Sequence, residues 1–146
     1  FSMERVVFPV LAEEGELSGF PFEGHFVDAG TPASYIEAVQ TSIRNQAWLS
    51  GRAGVGGNWL GNDVRIASTS IATNSAIAGG SEIAGDCSVV SCALLEDSSI
   101  GKGSSISHCM IGRDVTIAEQ CTLEDVVVNH GASVPKGHVQ TGGTFS

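Results

Sequence analysis

From Leu60 onward the chain repeats every 17 residues, and no other feature of the sequence leaves so few folds open. The successive rows begin at Leu60, Ile77, Leu94, Ile111 and Val128, and these five residues form the first column. The seventh column reads Ile66, Ile83, Ile100, Ile117, Val134. The thirteenth reads Ala72 (with Ile71 beside it), Val89, Ile106, Leu123, Gln140. Each row therefore divides into segments of six, six and five residues, and an aliphatic side chain opens nearly every one.

A six-residue segment suits a short strand followed by a tight turn. Successive strand side chains alternate between faces, so one aliphatic points inward and the turn re-aims the chain before the next. Turn chemistry stands where it is needed: Gly61-Asn62-Asp63, Gly79-Gly80, Glu96-Asp97, Gly101-Lys102-Gly103 and Gly112-Arg113-Asp114. Three strands close a triangular coil, and stacked coils place like residues in ladders. Fully burying an aliphatic is worth about 1.5–3 kcal/mol, so the ladders supply a few tens of kcal/mol before chain entropy is subtracted. A single coil cannot bury its own face, so the coils should fold together.

The register also places the four cysteines. Cys87 and Cys121 share a column with Ser104 between them, and Cys92 and Cys109 share another with Val126. Both columns call for small inward residues, so the cysteines read as buried, reduced thiols. They form no C-x-x-C pair, which argues against a metal site.

Charge removes several function classes. Seven Lys and Arg against 16 Asp and Glu give −9. The excess is even, with seven acids and three bases in residues 1–59 and nine and four in 60–146. Without a basic patch, neither nucleic acid nor an anionic membrane surface is an expected partner. No apolar run approaches the roughly 20 residues that span a bilayer. The start, Phe1-Ser2-Met3-Glu4, has no basic n-region, so a cytoplasmic protein and a piece of a longer chain are expected.

The aliphatic-[Gly/Ala]-x-x-[small] pattern over residues 60–140 resembles the hexapeptide-repeat family. That resemblance, and it alone, implies a left-handed parallel β-helix, since the general crossover rule favours the right hand. The expected fold is mainly β: about five coils in residues 60–146, a Gly-rich linker over 51–59, and a small α/β remnant over 1–50.

Residues 1–50 differ in character. Val6-Val7-Phe8-Pro9 is an apolar stretch ended by Pro. Leu17–Phe22 and His25–Ala29 read as two strands joined at Glu23-Gly24 in a hairpin. Thr31-Pro32 offers a helix start, Ile36, Val39, Ile43 and Ala47 follow at helical spacing, and Gly51 closes the helix. The G-x-G-G of the linker precedes no helix and does not read as a phosphate loop.

The element Gly24-x-Phe26-Val27-Asp28-Ala29-Gly30-Thr31-Pro32-x-x-Tyr35, preceded by Met3-Glu4 and Phe8-Pro9, resembles the end of the catalytic domain in sugar-1-phosphate nucleotidyltransferases. The order of element, helix and hexapeptide repeat is also that family's, and the mannose-1-phosphate guanylyltransferase-like and archaeal glucose-1-phosphate nucleotidyltransferase-like subgroups are the nearest. The resemblance implies that Asp28 helps hold a catalytic Mg²⁺ and that Glu4 lies on the sugar side of the pocket. A hard cation bridging phosphates favours such a carboxylate. Read without the resemblance, Asp28 is a turn acid near a helix N-terminus. The family's Gly-rich nucleotide loop, its Arg and Lys and its first metal-binding Asp are absent here. The chain is therefore expected to be the C-terminal part of such an enzyme, inactive alone, while the parent uses a sugar 1-phosphate and a nucleoside triphosphate.

Two other classes fit the repeat. Hexapeptide acyltransferases use a His base with an acyl-CoA, for which His108, His130 and His138 are the candidates. The unbroken 17-residue register leaves no long loop to shape such a site. Alternatively, the repeat is an assembly module only. Open ladders at the end coils and flat faces make a homo-oligomer the expected state.

Overall fold

The computed structural model describes residues 2–45 and 56–146. Sixteen short strands follow one another in the second segment. The first face of the solenoid stacks β1 (Trp59–Leu60), β4 (Ala76–Ile77), β7 (Ala93–Leu94), β10 (Met110–Ile111), β13 (Val127–Val128) and β16 (Thr144–Phe145). The second stacks β2 (Arg65–Ile66), β5 (Glu82–Ile83), β8 (Ser99–Ile100), β11 (Thr116–Ile117) and β14 (Ser133–Val134). The third stacks β3 (Ile71–Thr73), β6 (Ser88–Val90), β9 (Ser105–Ser107), β12 (Thr122–Glu124) and β15 (Val139–Thr141).

Every pairing is parallel and joins residues 17 apart, as in Leu60 with Ile77 and Ile83 with Ile100. The result is a three-sided β-solenoid of about five coils, as the repeat requires. Its axis is filled by Ile77, Leu94, Ile111 and Val128 from the first face, Ile83, Ile100, Ile117 and Val134 from the second, and Val89, Ile106 and Leu123 from the third, all buried. Leu60 and Ile66 depart from the expected ladder burial, since in the first coil they lack a preceding rung and are only half-buried. Of the adjacent pair at the third face, Ala72 points inward and Ile71 outward, 63% exposed. The last coil ends the ladder differently, with Gln140 in the column and Phe145 packed edge-on to His138 at 5.1 Å.

Each coil turns at single residues held in the left-handed region. One corner column is Asp63, Gly80, Asp97, Asp114 and Gly131, the next Asp86, Gly103, Gln120 and Gly137, and the third Gly57, Asn74, Ser91, His108, Asp125 and Gly142. The predominance of Gly, Asp and Asn follows from the φ of 50–73° at these sites, which costs other residues free energy.

The chain before the solenoid is helical or irregular. A π-helical turn over Met3–Val7 runs into α1 (Phe8–Glu13), and α2 spans Pro32–Asn45. The expected hairpin does not form: Leu17–Phe22 and His25–Ala29 carry no strand. Both runs are almost wholly exposed, with Phe20 at 91%, so they neither pair with each other nor pack on a sheet. The remnant is therefore not α/β among the described residues. The helix predicted from Thr31-Pro32 is present. Thr31 and Ser34 cap it reciprocally, the Ser34 N–H donating to Thr31 Oγ1 (3.2 Å) and the Thr31 N–H to Ser34 Oγ (3.0 Å). The predicted end of this helix at Ala47–Gly51, and the linker over 51–55, lie outside the described residues. At its far end the linker range already belongs to the solenoid: Trp59 opens β1, and buried Asn58 takes a hydrogen bond from the Ser75 N–H (3.0 Å).

The apolar side of α2 packs on the first face, burying Ile36 and Ile43. A groove of about 350 Å³ separates Val39, Ser42 and Ile43 from Trp59 and Ala76. A smaller one of about 140 Å³ lies between Tyr35 and Leu95, Met110, Val127 and His130. Tyr35 lines both grooves, so the first turn of α2 reaches coils three to five while Val39 and Ile43 lie beside the first two.

Candidate functional site

The residues with functional potential occupy separate places. Glu4 sits exposed in the π-helical turn, and Asp28 is exposed in the irregular stretch before α2. No group of three His, Cys, Asp or Glu that could hold a metal ion occurs among the described residues. A lone exposed carboxylate does not make a Mg²⁺ site, because water outcompetes a single ligand for a strongly hydrated cation. The described residues therefore do not by themselves fit the metal that the resemblance implies.

The three histidines do not converge. His108 is an exposed corner residue at φ 51°. His130, in another corner, accepts the Arg113 N–H on Nδ1 (2.8 Å). His138 is half-buried, with Nε2 3.0 Å from Gln140 Oε1 and its ring against Phe145. A general base for acyl transfer needs a pocket that presents its substrate, and the groove beside Tyr35 is lined by His130 without the other two rings.

The cysteine columns, each one residue past a corner, carry a hydrogen-bond ladder that their small-residue reading did not include. At these positions the backbone N–H leaves the strand ladders and is taken by a side chain one rung back. The N–H of Cys87 donates to Ser70 Oγ (2.9 Å), that of Cys92 to Ser75 Oγ (3.0 Å) and that of Cys121 to Ser104 Oγ (3.1 Å). Sulfur serves in the same way: the Cys109 N–H donates to Cys92 Sγ and the Val126 N–H to Cys109 Sγ, both at 3.5 Å. Each column thus needs a short side chain that can accept, and the alternation of Ser and Cys was the legible signal. All four thiols are free and buried. The contact with Cys109, together with burial, pushes the Cys92 thiol far above its ordinary value, which keeps it protonated and unreactive. A third inward column, Val64, Ser81, Ser98, Val115 and Ala132, was not recognised in the sequence; Ser98 Oγ meets Ser81 Oγ at 3.2 Å.

Cross-rung ion pairs line the exterior: Arg65–Glu82 (2.7 Å), Lys102–Asp86 (3.3 Å), Arg113–Glu96 (2.8 Å) and Lys136–Glu119 (2.7 Å). Lys136 holds the Glu119 carboxyl below the usual carboxylate range. Glu96 is lowered by its own backbone N–H and then by Arg113. A shallow groove of about 570 Å³ crosses the second face over Ala84, Ser99, Gly101 and Thr116. Among the described residues no helix is long and apolar enough to cross a membrane.

Three parallel sheets in a 17-residue register, with left-handed corners, define a hexapeptide-repeat β-solenoid. Residues 38–142 match the family described as GlmU-like, C-terminal hexapeptide. The chain belongs to that family. Mannose-1-phosphate guanylyltransferase catalytic subunit beta of Danio rerio is a similar protein, 39% identical over 64 residues. Those residues are 42% of this chain and 17% of that relative's length.

Proposed function

We propose that this chain is the C-terminal portion of a sugar-1-phosphate nucleotidyltransferase, with the solenoid serving assembly or regulation of the complete enzyme. The observation that carries the reading is the combination of GlmU-like C-terminal hexapeptide membership with 39% identity to a mannose-1-phosphate guanylyltransferase subunit. The element around Asp28, which resembles the end of that catalytic domain, adds to it. So do Phe20, Phe22 and Phe26, whose exposure is apolar surface of the kind a further domain buries.

In this reading the parent joins a nucleoside triphosphate and a sugar 1-phosphate to give a nucleotide sugar and pyrophosphate. Asp28 would supply one carboxylate to Mg²⁺ and Glu4 would face the sugar, with the remaining metal ligands and machinery coming from other parts of the enzyme. Nucleotidyl transfer needs several groups placed together around the phosphates, so one carboxylate on an irregular segment gives no rate.

The test compares two proteins under the same conditions: this chain, and the complete product of its gene. Each is supplied with Mg²⁺, GTP or another nucleoside triphosphate, and mannose or glucose 1-phosphate. Nucleotide sugar and pyrophosphate from the complete protein and none from the chain is the expected result. Product from the chain alone would overturn the division of labour, and none from the complete protein would overturn the assignment.

A further inference from the structure

The three faces of the solenoid differ in what they show to solvent. The first is covered by α2. The outward residues of the second run Arg65, Glu82, Ser99, Thr116 and Ser133, charged at one end only. The third presents Ile71, Ser88, Ser105, Thr122 and Val139, a column with the same chemistry from either end. Among the described residues of the solenoid, Ile71 and Val139 are the large apolar side chains that are exposed, at 63% and 70%. They stand at opposite ends of this one column.

An interface between two identical copies about a two-fold axis must be complementary to itself. Exchanging the ends of the third-face column leaves its pattern unchanged: apolar, hydroxyl, hydroxyl, hydroxyl, apolar. We propose that the third face binds the third face of a second copy of this chain, the two solenoids running antiparallel. The two-fold axis lies between the faces, parallel to β9, at the level of Ser105. Ile71 then meets Val139 of the second copy at both ends, Ser88 meets Thr122, and Ser105 meets itself. The neighbouring outward column, Thr73, Val90, Ser107, Glu124 and Thr141, also pairs Thr with Thr and Ser with Ser. Its one charge, Glu124, faces Val90 and limits affinity.

The contact is small. Five rungs about 4.8 Å apart and strands of about 10 Å give on the order of 300 Å² per copy. This is well under the roughly 800 Å² per partner of stable complexes, so the pair exchanges rapidly. The inference rests on the assembly part of the reading above and names the surface and its symmetry.

Sedimentation velocity of the chain up to several hundred micromolar should show a monomer–dimer equilibrium, with Ile71→Asp weakening it at least tenfold. A short bismaleimide should join Ser105→Cys copies to one another. It should leave Ile71→Cys copies unjoined, because their thiols sit four rungs or about 19 Å apart, yet join Ile71→Cys to Val139→Cys when the two are mixed. Wild type, with buried thiols, is the unreactive control. A monomer at every concentration would overturn the assembly reading together with this surface. A dimer whose Ser105→Cys form does not cross-link, or whose Ile71→Cys form links to itself as readily, would overturn this surface and leave assembly standing.

Discussion

A backbone N–H that turns away from its strand ladder must find another acceptor, and in this molecule Ser Oγ or Cys Sγ one rung back provides it. This gives cysteine substitutions an order. Cys109→Ser keeps an acceptor for the Val126 N–H and should cost under about 1 kcal/mol, whereas Cys109→Ala leaves that buried donor unpaired and should cost about 1–3 kcal/mol. Urea unfolding of the two variants checks the difference. The same thiols set a pH dependence. With the Cys92 thiol raised above the ordinary 9.0, the unfolded chain releases its proton first as pH climbs. Stability is therefore fully present below about pH 9 and declines above it, and a thermal melt series from pH 7 to 10.5 should show a falling midpoint that Cys92→Ser flattens. On the axis itself, Ile100→Asp buries a charge with no partner and should abolish the cooperative melt.

The strands were legible in the sequence because a 17-residue register repeats each constraint five times, and a column of five aliphatics outweighs any local exception. Helix α2 was legible through its cap and spacing, although its resting place was not. The signal for that lay in the outward column Trp59, Ala76, Ala93, Met110 and Val127, an apolar stripe on a solenoid whose other faces are polar. An outward apolar column calls for a cover, and α2 supplies it. The hairpin was misread for the opposite reason: alternating Phe residues suggest a strand, but a strand needs a partner edge, and these two runs pair neither with each other nor with the solenoid's end strands. Asp28 and Glu4 follow from resemblance to a catalytic element, and one segment cannot show what the rest of a pocket contributes. Removing the helix's anchor tests its docking. Ile43→Ala should weaken α2 by about 2–4 kcal/mol, and hydrogen exchange should show α2 amides losing protection while β8 and β11 keep theirs.

Taken whole, the molecule is a stack in which each rung is supported only by its neighbours. Deleting residues 94–110 removes one complete turn and sets Ile111 where Leu94 stood, every column intact. That variant should fold with a native-like circular dichroism spectrum and a smaller unfolding enthalpy. Deleting 94–109 instead shifts every later side chain by one position, turning inward residues outward, and should give no cooperative transition in the calorimeter.

The seat of α2 on the side of the stack decides how mass is distributed around it. A helix continuing the axis past the first coil would lengthen the particle. Here it lies alongside instead, with Ile43 near Trp59 and Ala76 and with Tyr35 reaching Met110 and Val127. The chain thereby gains girth rather than length, and X-ray scattering should accordingly yield a stout envelope rather than a rod.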